Sequence, residues 1–160
     1  MSEQSRPVGP VPRDVLLSWP GLDVFRRMIA GELPTPPVCV TSNIFLAEAE
    51  AGRVVFEGTP TDAFTNPLGG IHGGWIATLL DSSMACAVHT RLAAGQAYTT
   101  IEFKLNLVKA VTTASGKLRC EGRVLQFGSR IATSEGFVRD AAGTLYAHGT
   151  ETCLIMPARG

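Results

Sequence analysis

The sequence predicts an α+β fold in which one antiparallel β-sheet is wrapped around one long central helix. The first observation is the stretch from Gly73 to Val88, where every residue except Asp81 is apolar, small or a hydroxyl residue. Such a segment suits a helix that is covered on most faces. The second observation is the period-two alternation of apolar and polar residues after Gly95, which is typical of strands. The order strand, strand, helix and four strands with short links favours one domain without repeats.

Residues 1–37 are expected to form an N-terminal extension. Residues 1–12 are rich in Pro, Gly and polar groups, so we expect them to be poorly ordered. A short helix is predicted from about Gly21 to Ala30, because apolar residues recur there at helical spacing, and Gly31 is a suitable stop. The proline-rich segment 34–37 is then an extended linker into the main domain.

The main domain is predicted to span residues 38–157. Its strands are expected at 38–48, 52–59, 99–108, 116–127, 130–139 and 144–155. Residues 61–71 form a loop by their Asn, Pro and Gly content, and the central helix follows from about 72 to 92. In the strand after the helix, alternation predicts one shared face for Ile101, Phe103, Leu105 and Leu107.

The composition excludes several classes of partner. Hydrophobic residues make up 45% and charged residues 18%, which indicates that some surface is buried between subunits. The net charge is zero, so we expect neither a nucleic acid nor a membrane partner. The first residues lack the apolar segment of a secretory signal, and the uncharged run around Asp81 is interrupted and glycine-rich. We therefore expect a cytoplasmic protein.

The four cysteines do not predict a metal site. Cys39, Cys86, Cys120 and Cys153 are far apart and show no CxxC spacing. In a chain without an export signal they are expected to be reduced thiols in the core, with no zinc bound. No metal or other cofactor is expected.

The candidate site combines a glycine-rich loop with the lone carboxylate of the helix. The loop Gly69-Gly70-Ile71-His72-Gly73-Gly74 precedes the helix, and Asp81 follows Gly73 by eight residues. A rise of 1.5 Å per residue separates the two features by roughly 12 to 13.5 Å, so one substrate carbonyl cannot contact both in one chain. Either the features are unrelated, or they meet from two chains related by a twofold axis.

These groups are sufficient for one kind of chemistry. Free amides at a helix N-terminus can stabilise a developing oxyanion, and glycines let a substrate approach the backbone. A carboxylate across the cleft can activate water or attack the carbonyl itself. The sequence contains no GxSxG, HExxH or GxxxxGK motif. The pattern therefore favours hydrolysis of an ester or thioester without a metal.

The segment Asn66-Pro67-Leu68-Gly69-Gly70-Ile71-His72-Gly73-Gly74, followed by Ala77-Thr78-Leu79-Leu80-Asp81, resembles the signature of hotdog-fold acyl-CoA thioesterases. The most similar group is the phenylacetic-acid-degradation (PaaI-type) thioesterases, which are related to one branch of 4-hydroxybenzoyl-CoA thioesterase. The resemblance covers about residues 40–156 and includes the strand order. It implies a hotdog fold and hydrolysis of an aromatic or medium-chain acyl-CoA to the free acid and CoA. It also implies a homodimer at least, with a homotetramer as the larger alternative.

The resemblance implies a role for each matching residue. Asp81 matches the catalytic carboxylate, a general base or nucleophile, and Gly73 matches the residue whose backbone N–H polarises the thioester carbonyl. His72 and Asn66 match residues that orient the substrate carbonyl or the water. Thr100 is similar to a hydroxyl residue near the carboxylate that holds a water, and Thr99 is the second choice for that residue. In the family, Asn66, His72 and Gly73 of one subunit face Asp81 of the next.

Four further residues are candidates for substrate binding. Gly74 and Trp75 lie at the start of the helix, and Trp75 either shapes the acyl pocket or packs at the dimer seam. Arg123 and Arg130 lie near the place where the family tends to hold the CoA nucleotide, although a solvated hairpin explains them equally well. These residues complete the predicted site.

Two other functions remain open from the sequence. One is a hotdog dehydratase or hydratase acting on acyl thioesters, and the spacing between the His72-Gly73-Gly74 loop and Asp81 argues against it. The other is a non-catalytic acyl-CoA-binding protein. Regulators of that kind usually carry a DNA-binding segment, and residues 1–37 are too short and proline-rich for one.

Overall fold

Six strands of one antiparallel sheet wrap around a long helix in the computed structural model, which describes residues 7–158. The helices are α1 (Arg13–Ser18), α2 (Gly21–Ala30), α3 (Pro37–Ser42) and α4 (Gly73–His89). The strands are β1 (Ile44–Glu50), β2 (Arg53–Gly58), β3 (Gln96–Leu107), β4 (Leu118–Phe127), β5 (Ile131–Arg139) and β6 (Leu145–Pro157). Their order in the sheet is β1-β2-β4-β5-β6-β3. The predicted α+β fold is confirmed.

The N-terminal helix α2 has the predicted bounds. Val24 and Phe25 on its inner side are buried, and Gly31 ends it in the left-handed region with a φ of 78°. The expectation that residues 1–12 are poorly ordered can be compared with the structure from residue 7 onwards, because residues 1–6 lie outside the described residues. Within the described part, Val8 forms a parallel bridge with Thr35.

The predicted start of the first strand was wrong. Residues 37–42 form helix α3, and β1 begins only at Ile44. Pro37 occupies the first helical position, where its missing N–H costs no hydrogen bond. The indole N–H of Trp75 donates to the carbonyl of Ser42 at 2.7 Å. Tertiary contact and the proline therefore override the strand preference of the valines in this segment.

Helix α4 is buried along most of its length, as its apolar sequence predicts. It lies directly on the sheet because glycines face it: a Cβ at Gly122 would be 2.1 Å from the Ser83 carbonyl oxygen, and one at Gly136 would be 2.8 Å from Met84 Cγ. Gly122 pairs with Gly136 between β4 and β5. This contact fixes the height of the helix above the sheet. None of the helices in residues 7–158 is long and apolar enough to cross a membrane.

Strand β3 is an edge strand with a bulge. Thr100 pairs with Cys153 and Glu102 pairs with Thr152 on β6, so the Ile101 between them has no partner residue on β6. The predicted shared face was therefore wrong for Ile101, whose side chain is 55% exposed. The bulge shifts the alternation, and Thr100 rather than Ile101 lies on the face that carries Leu105.

Candidate active site

The loop before α4 positions Asn66. The Asn66 amide donates to the Gly70 carbonyl at 2.8 Å, and the Gly69 amide donates to the Asn66 carbonyl at 2.9 Å. The Asn66 side-chain oxygen accepts a hydrogen bond from the Leu68 amide at 2.9 Å. This bond fixes the side-chain amide, so its NH₂ group is the part that remains to donate to a bound molecule.

His72 caps the N-terminus of α4. Its Nδ1 accepts a hydrogen bond from the Gly74 amide at 2.9 Å. A neutral imidazole whose Nδ1 accepts carries its proton on Nε2, so the exposed edge of His72 is a donor. Within residues 7–158, no acceptor binds the Gly73 amide, which is the first N–H of the helix. The two donors are next to each other at the positive end of the helix dipole.

Asp81 lies in the middle of the same helix and is half-buried. Burial raises the pKa of its carboxyl group, and the nearby Thr100 hydroxyl acts in the opposite direction by hydrogen bonding. Because Gly73 and Asp81 belong to one helix, the structure does not bring them together within a chain. It does bring Asp81 next to Thr100, the hydroxyl residue that the family resemblance implies.

A second carboxyl group beside Thr100 was not predicted. The Thr100 hydroxyl donates to Glu151 Oε1 at 2.7 Å, and Cys153 Sγ donates to the same oxygen at 3.2 Å. Glu151 is 1% exposed, and within residues 7–158 its Oε2 has no hydrogen-bond partner. The pKa of Glu151 is raised to about 7, chiefly by burial and with a contribution from the charges of Asp81 and Glu102, while the hydrogen bonds with Thr100 and Cys153 act in the opposite direction.

A signal for Glu151 is present in the sequence. On β6 every second residue is buried against α4, and Glu151 occupies one of these positions between Gly149 and Cys153. A carboxylate on the buried face of a strand is costly unless it has partners or a function. Attention to the alternation of the last strand would therefore have found it.

Trp75 packs inside its own chain. Its indole is 5% exposed, donates to the Ser42 carbonyl and stacks on Phe64 with ring centroids 5.9 Å apart. The ring also lies against Gly58, where an added Cβ would be 3.0 Å from it. All these contacts lie within one chain, and the role of Trp75 at the acyl pocket or at a dimer seam stays a prediction. Gly74 beside it is exposed and bonded to His72.

The two predicted arginines lie away from Asp81. Arg123 is on the face of β4 opposite to Gly122, and its Nε donates to Glu121. Arg130 is exposed just before β5, and its carbonyl accepts from the Ile155 amide at 2.7 Å. Within one chain, the Arg123 guanidinium lies on the face of the sheet opposite to the one that carries Thr100 and Glu151.

A mainly apolar cavity lies between the N-terminal extension and α4. Its volume is about 130 Å³. The lining residues come from α2, α3, the first strands and α4, and they include Phe25, Met28, Cys39, Phe45, Ser82 and Cys86. Ser82, one of the lining residues, directly follows Asp81 in the sequence.

The comparison with known families agrees with this geometry. Residues 68–147 match the family model described as Thioesterase superfamily. The chain belongs to this superfamily, has its hotdog fold and is a thioester hydrolase. The similar structures described below support its assignment to the phenylacetic-acid-degradation (PaaI) type of thioesterase. Among curated proteins, none matches the sequence.

Several solved structures are similar over most of their length. A thioesterase-type phenylacetic acid degradation-related protein from Ralstonia eutropha JMP134 is 30% identical, with 81% of this chain and 98% of that chain covered and a TM-score of 0.74. A conserved protein from Pseudomonas aeruginosa is 26% identical, with 75% and 94% covered and a TM-score of 0.70. A thioesterase family protein from Silicibacter pomeroyi, at 20% identity, 84% and 99% coverage and a TM-score of 0.74, is similar in fold.

Proposed function

We propose that this thioester hydrolase acts on acyl-CoA and that two copies of the chain form each active site. The observation that carries the proposal is the single helix α4, which holds both the free Gly73 amide and Asp81. Eight helical residues separate them by about 12 Å along the axis, too far for one thioester carbonyl to contact both. Two antiparallel copies of the helix around a twofold axis remove this separation.

The free edge of β3 supports the pairing of two copies. Within residues 7–158, no strand pairs with this edge, and the strand has 12 residues. Exposed apolar side chains lie along it and just beyond its end, at Ile101, Phe103, Leu107 and Val108. A long apolar edge of this kind favours pairing with another strand. We therefore propose a homodimer at least, joined through β3.

The same strand links both halves of the proposed site. Thr100 lies next to Asp81, and Leu107 lies next to Gly73, because a Cβ added at Gly73 would be 3.0 Å from Leu107 Cδ1. Two β3 strands paired antiparallel about a centre near Phe103 would place Thr100 of one subunit close to Leu107 of the other. Asp81 of one subunit would then face Gly73 of the partner subunit, which is the arrangement that the distance along α4 requires.

The proposed mechanism uses the groups of both subunits. The Gly73 amide donates to the thioester carbonyl and stabilises the oxyanion, with the Nε2–H of His72 and the side-chain amide of Asn66 as further donors. Asp81 either removes a proton from the attacking water or attacks the carbonyl itself, and Thr100 orients it. When Asp81 is the base, the C–S bond breaks as the tetrahedral intermediate collapses, and the CoA sulfur takes the proton that Asp81 removed from water. When Asp81 is the nucleophile, the sulfur takes a proton from solvent, and water then hydrolyses the acyl–Asp81 anhydride to release the acid. Gly74, exposed beside His72, lets the substrate approach the backbone closely.

The cavity beside α4 supports an aromatic or medium-chain acyl group. Its volume of about 130 Å³ is comparable with the ~150 Å³ apolar cavity that binds benzene in another protein. Phe25 and Met28 of α2 and Cys39 of α3 form the wall opposite α4. We propose that residues 1–37 are an extension that limits the acyl pocket of a catalytic domain at 38–157. Arg130, and Arg123 after release from Glu121, are proposed to bind the CoA phosphates.

A thiol-release screen across aliphatic and aromatic acyl-CoAs tests the activity. Phenylacetyl-CoA and similar aryl substrates are expected to be hydrolysed fastest. Asp81→Asn is expected to lower kcat by about 100-fold or more, because the general base or nucleophile is lost. An Asp81→Asn protein with wild-type turnover would overturn the assignment of Asp81.

The role of the Gly73 amide can be tested without disturbing the helix. Gly73→Pro removes the N–H at the first helical position, where proline is favoured, and His72 already has the extended conformation (φ −62°, ψ 134°) that precedes proline. Gly73→Ala is the matched control, because its added Cβ meets the same Leu107 atom while the N–H remains. We expect the kcat of Gly73→Pro to be about 100-fold lower than that of the wild type, and the kcat of Gly73→Ala to stay close to the wild-type value.

Mixing the two inactive variants tests the shared site. In a dimer of one Asp81→Asn chain and one Gly73→Pro chain, one site keeps both native groups and the other loses both. Half of randomly mixed dimers are of this kind and half of their sites are intact, so about a quarter of the wild-type activity should return. A site within one chain predicts no recovery on mixing.

A further inference from the structure

Two carboxyl groups, those of Asp81 and Glu151, compete for the single hydroxyl hydrogen of Thr100. Thr100 Oγ1 is 2.7 Å from Glu151 Oε1, and the same hydroxyl acts on Asp81 by hydrogen bonding. A threonine hydroxyl has one hydrogen and therefore donates to one acceptor at a time. Asp81 and Glu151 can both form a hydrogen bond with Thr100 only if one of the two carboxyl groups is protonated and donates to the Thr100 oxygen.

The surroundings decide which carboxyl group carries that proton. Glu151 is 1% exposed, whereas Asp81 is half-buried. Glu151 is faced by Asp81 and Cys86 from α4, by Tyr98 and Glu102 from β3, by Cys153 on its own strand and by Ser134 from β5. None of these groups is a cation. A charge is therefore less costly on Asp81 than on Glu151.

We propose that Glu151 is a positioning residue for Asp81: as a neutral acid it donates its proton to Thr100, and the Thr100 hydrogen is then directed at Asp81. The three side chains form the chain Glu151–Thr100–Asp81, with the negative charge at the exposed end, where water or substrate meets it. This inference rests on the proposed function only for the role of Asp81. The 2.7 Å contact between Thr100 Oγ1 and Glu151 Oε1 exists without substrate. With Glu151 neutral, the hydrogen in this contact belongs to Glu151, and with Glu151 ionised it belongs to Thr100.

Loss of the Glu151 proton reverses the chain. The Thr100 hydrogen then turns to the ionised Glu151, and Asp81 loses its donor while it gains a like charge beside it. The raised pKa of Glu151, about 7, puts this reversal near neutral pH. Hydrolysis is therefore expected to fall as the pH rises through 7, by loss of kcat rather than by a rise in KM.

The test compares the wild type with Glu151→Gln, which has the same shape and keeps a permanent N–H donor toward Thr100. Glu102→Gln, an exposed change on β3, is the comparison variant: it removes a neighbouring charge but keeps the ionisable Glu151, so the decline should remain and move toward lower pH. The kcat of the wild type and of Glu102→Gln is expected to fall about tenfold or more between pH 6 and 8.5. Glu151→Gln is expected to keep the wild-type kcat at pH 6 and to lose the decline.

A carboxyl ¹³C NMR titration without substrate gives a second readout. In the wild type, the Asp81 carboxyl carbon should show a small additional chemical-shift step near pH 7, when Glu151 ionises. The step should be absent in Glu151→Gln and present in Glu102→Gln. A step or a kcat decline near pH 7 that persists in Glu151→Gln would overturn the proposal. A wild-type protein that shows the step but releases no thiol from any acyl-CoA would overturn the proposed function instead.

Discussion

The burial of Glu151 predicts a specific pH dependence of stability. Its pKa is raised from 4.5 to about 7 in the folded chain. Below pH 4.5 the carboxyl group is protonated in both states. Between pH 4.5 and 7 only the unfolded chain releases the proton, so the free energy of unfolding falls as the pH rises. At 1.36 kcal/mol per pKa unit, the loss reaches about 3 kcal/mol above pH 7.

Glu151→Gln removes this loss. Between pH 5 and pH 8 the free energy of unfolding of Glu151→Gln, relative to that of the wild type, should rise by about 2 to 3 kcal/mol. Urea unfolding of both proteins at the two pH values and one fixed protomer concentration measures the difference. His89, whose pKa burial lowers to about 4, also titrates between the folded and unfolded states, but it is common to both proteins and cancels.

The control and the refuting result are both available in the same experiment. Glu102→Gln keeps the ionisable Glu151 and should keep most of the wild-type loss between pH 5 and 8, reduced by the contribution of the Glu102 charge to the raised pKa of Glu151. Glu48, Glu57 and Glu121 have pKa values lowered by their arginine and lysine partners, so their contribution is complete above the pKa of the unfolded chain and does not change between pH 5 and 8. A relative rise of less than about 0.5 kcal/mol for Glu151→Gln would refute the inference that Glu151 is buried as a neutral acid.

Three further changes test the packing and the pocket. Gly122→Ala should destabilise the fold by about 3 kcal/mol or prevent folding, because the new Cβ would lie 2.1 Å from the Ser83 carbonyl oxygen. Gly9→Ala is the control, because its Cβ would meet nothing within 4 Å, and thermal unfolding compares the two variants. Trp75→Phe should cost about 1 to 3 kcal/mol in urea unfolding through its lost hydrogen bond to the Ser42 carbonyl. Cys39→Phe should fill the cavity and lower kcat/KM for aryl-acyl-CoA by about tenfold while acetyl-CoA turnover is kept.

The fold could be predicted because its signals are long and periodic. Helix α4 is recognisable from an uncharged run of apolar and small residues, and the four strands after it alternate with period two. Helix α3 could not be predicted in this way. Its valines favour a strand, and only the proline at its start and the bond from the indole of Trp75 to its last residue make a helix there.

The site was predicted where one residue carries the signal by itself. Asp81 is conspicuous as a lone carboxylate in an apolar helix, and the glycines before it mark the helix start. Glu151 is marked only by the alternation of its strand, which is a weaker signal because β6 also carries exposed polar residues. Its importance depends on Thr100, which lies 51 positions away in sequence. A β-bulge that the sequence pattern did not reveal turns that threonine toward it.

The bulge at Ile101 is what makes β3 serve both halves of the proposed site. Without the extra residue, strict alternation would put Thr100 and Phe103 on opposite faces of the strand. With it, Thr100 reaches Asp81 on the same face on which Leu107 reaches Gly73, and Ile101 is left exposed at the free edge. The inserted residue thus has two effects. It turns the Thr100 hydroxyl toward the Asp81 carboxylate, and it leaves the apolar side chain of Ile101 at the free edge of β3. Because β3 contacts both Asp81 and Gly73 and also presents an apolar free edge, pairing of two β3 strands is the arrangement that completes the proposed site.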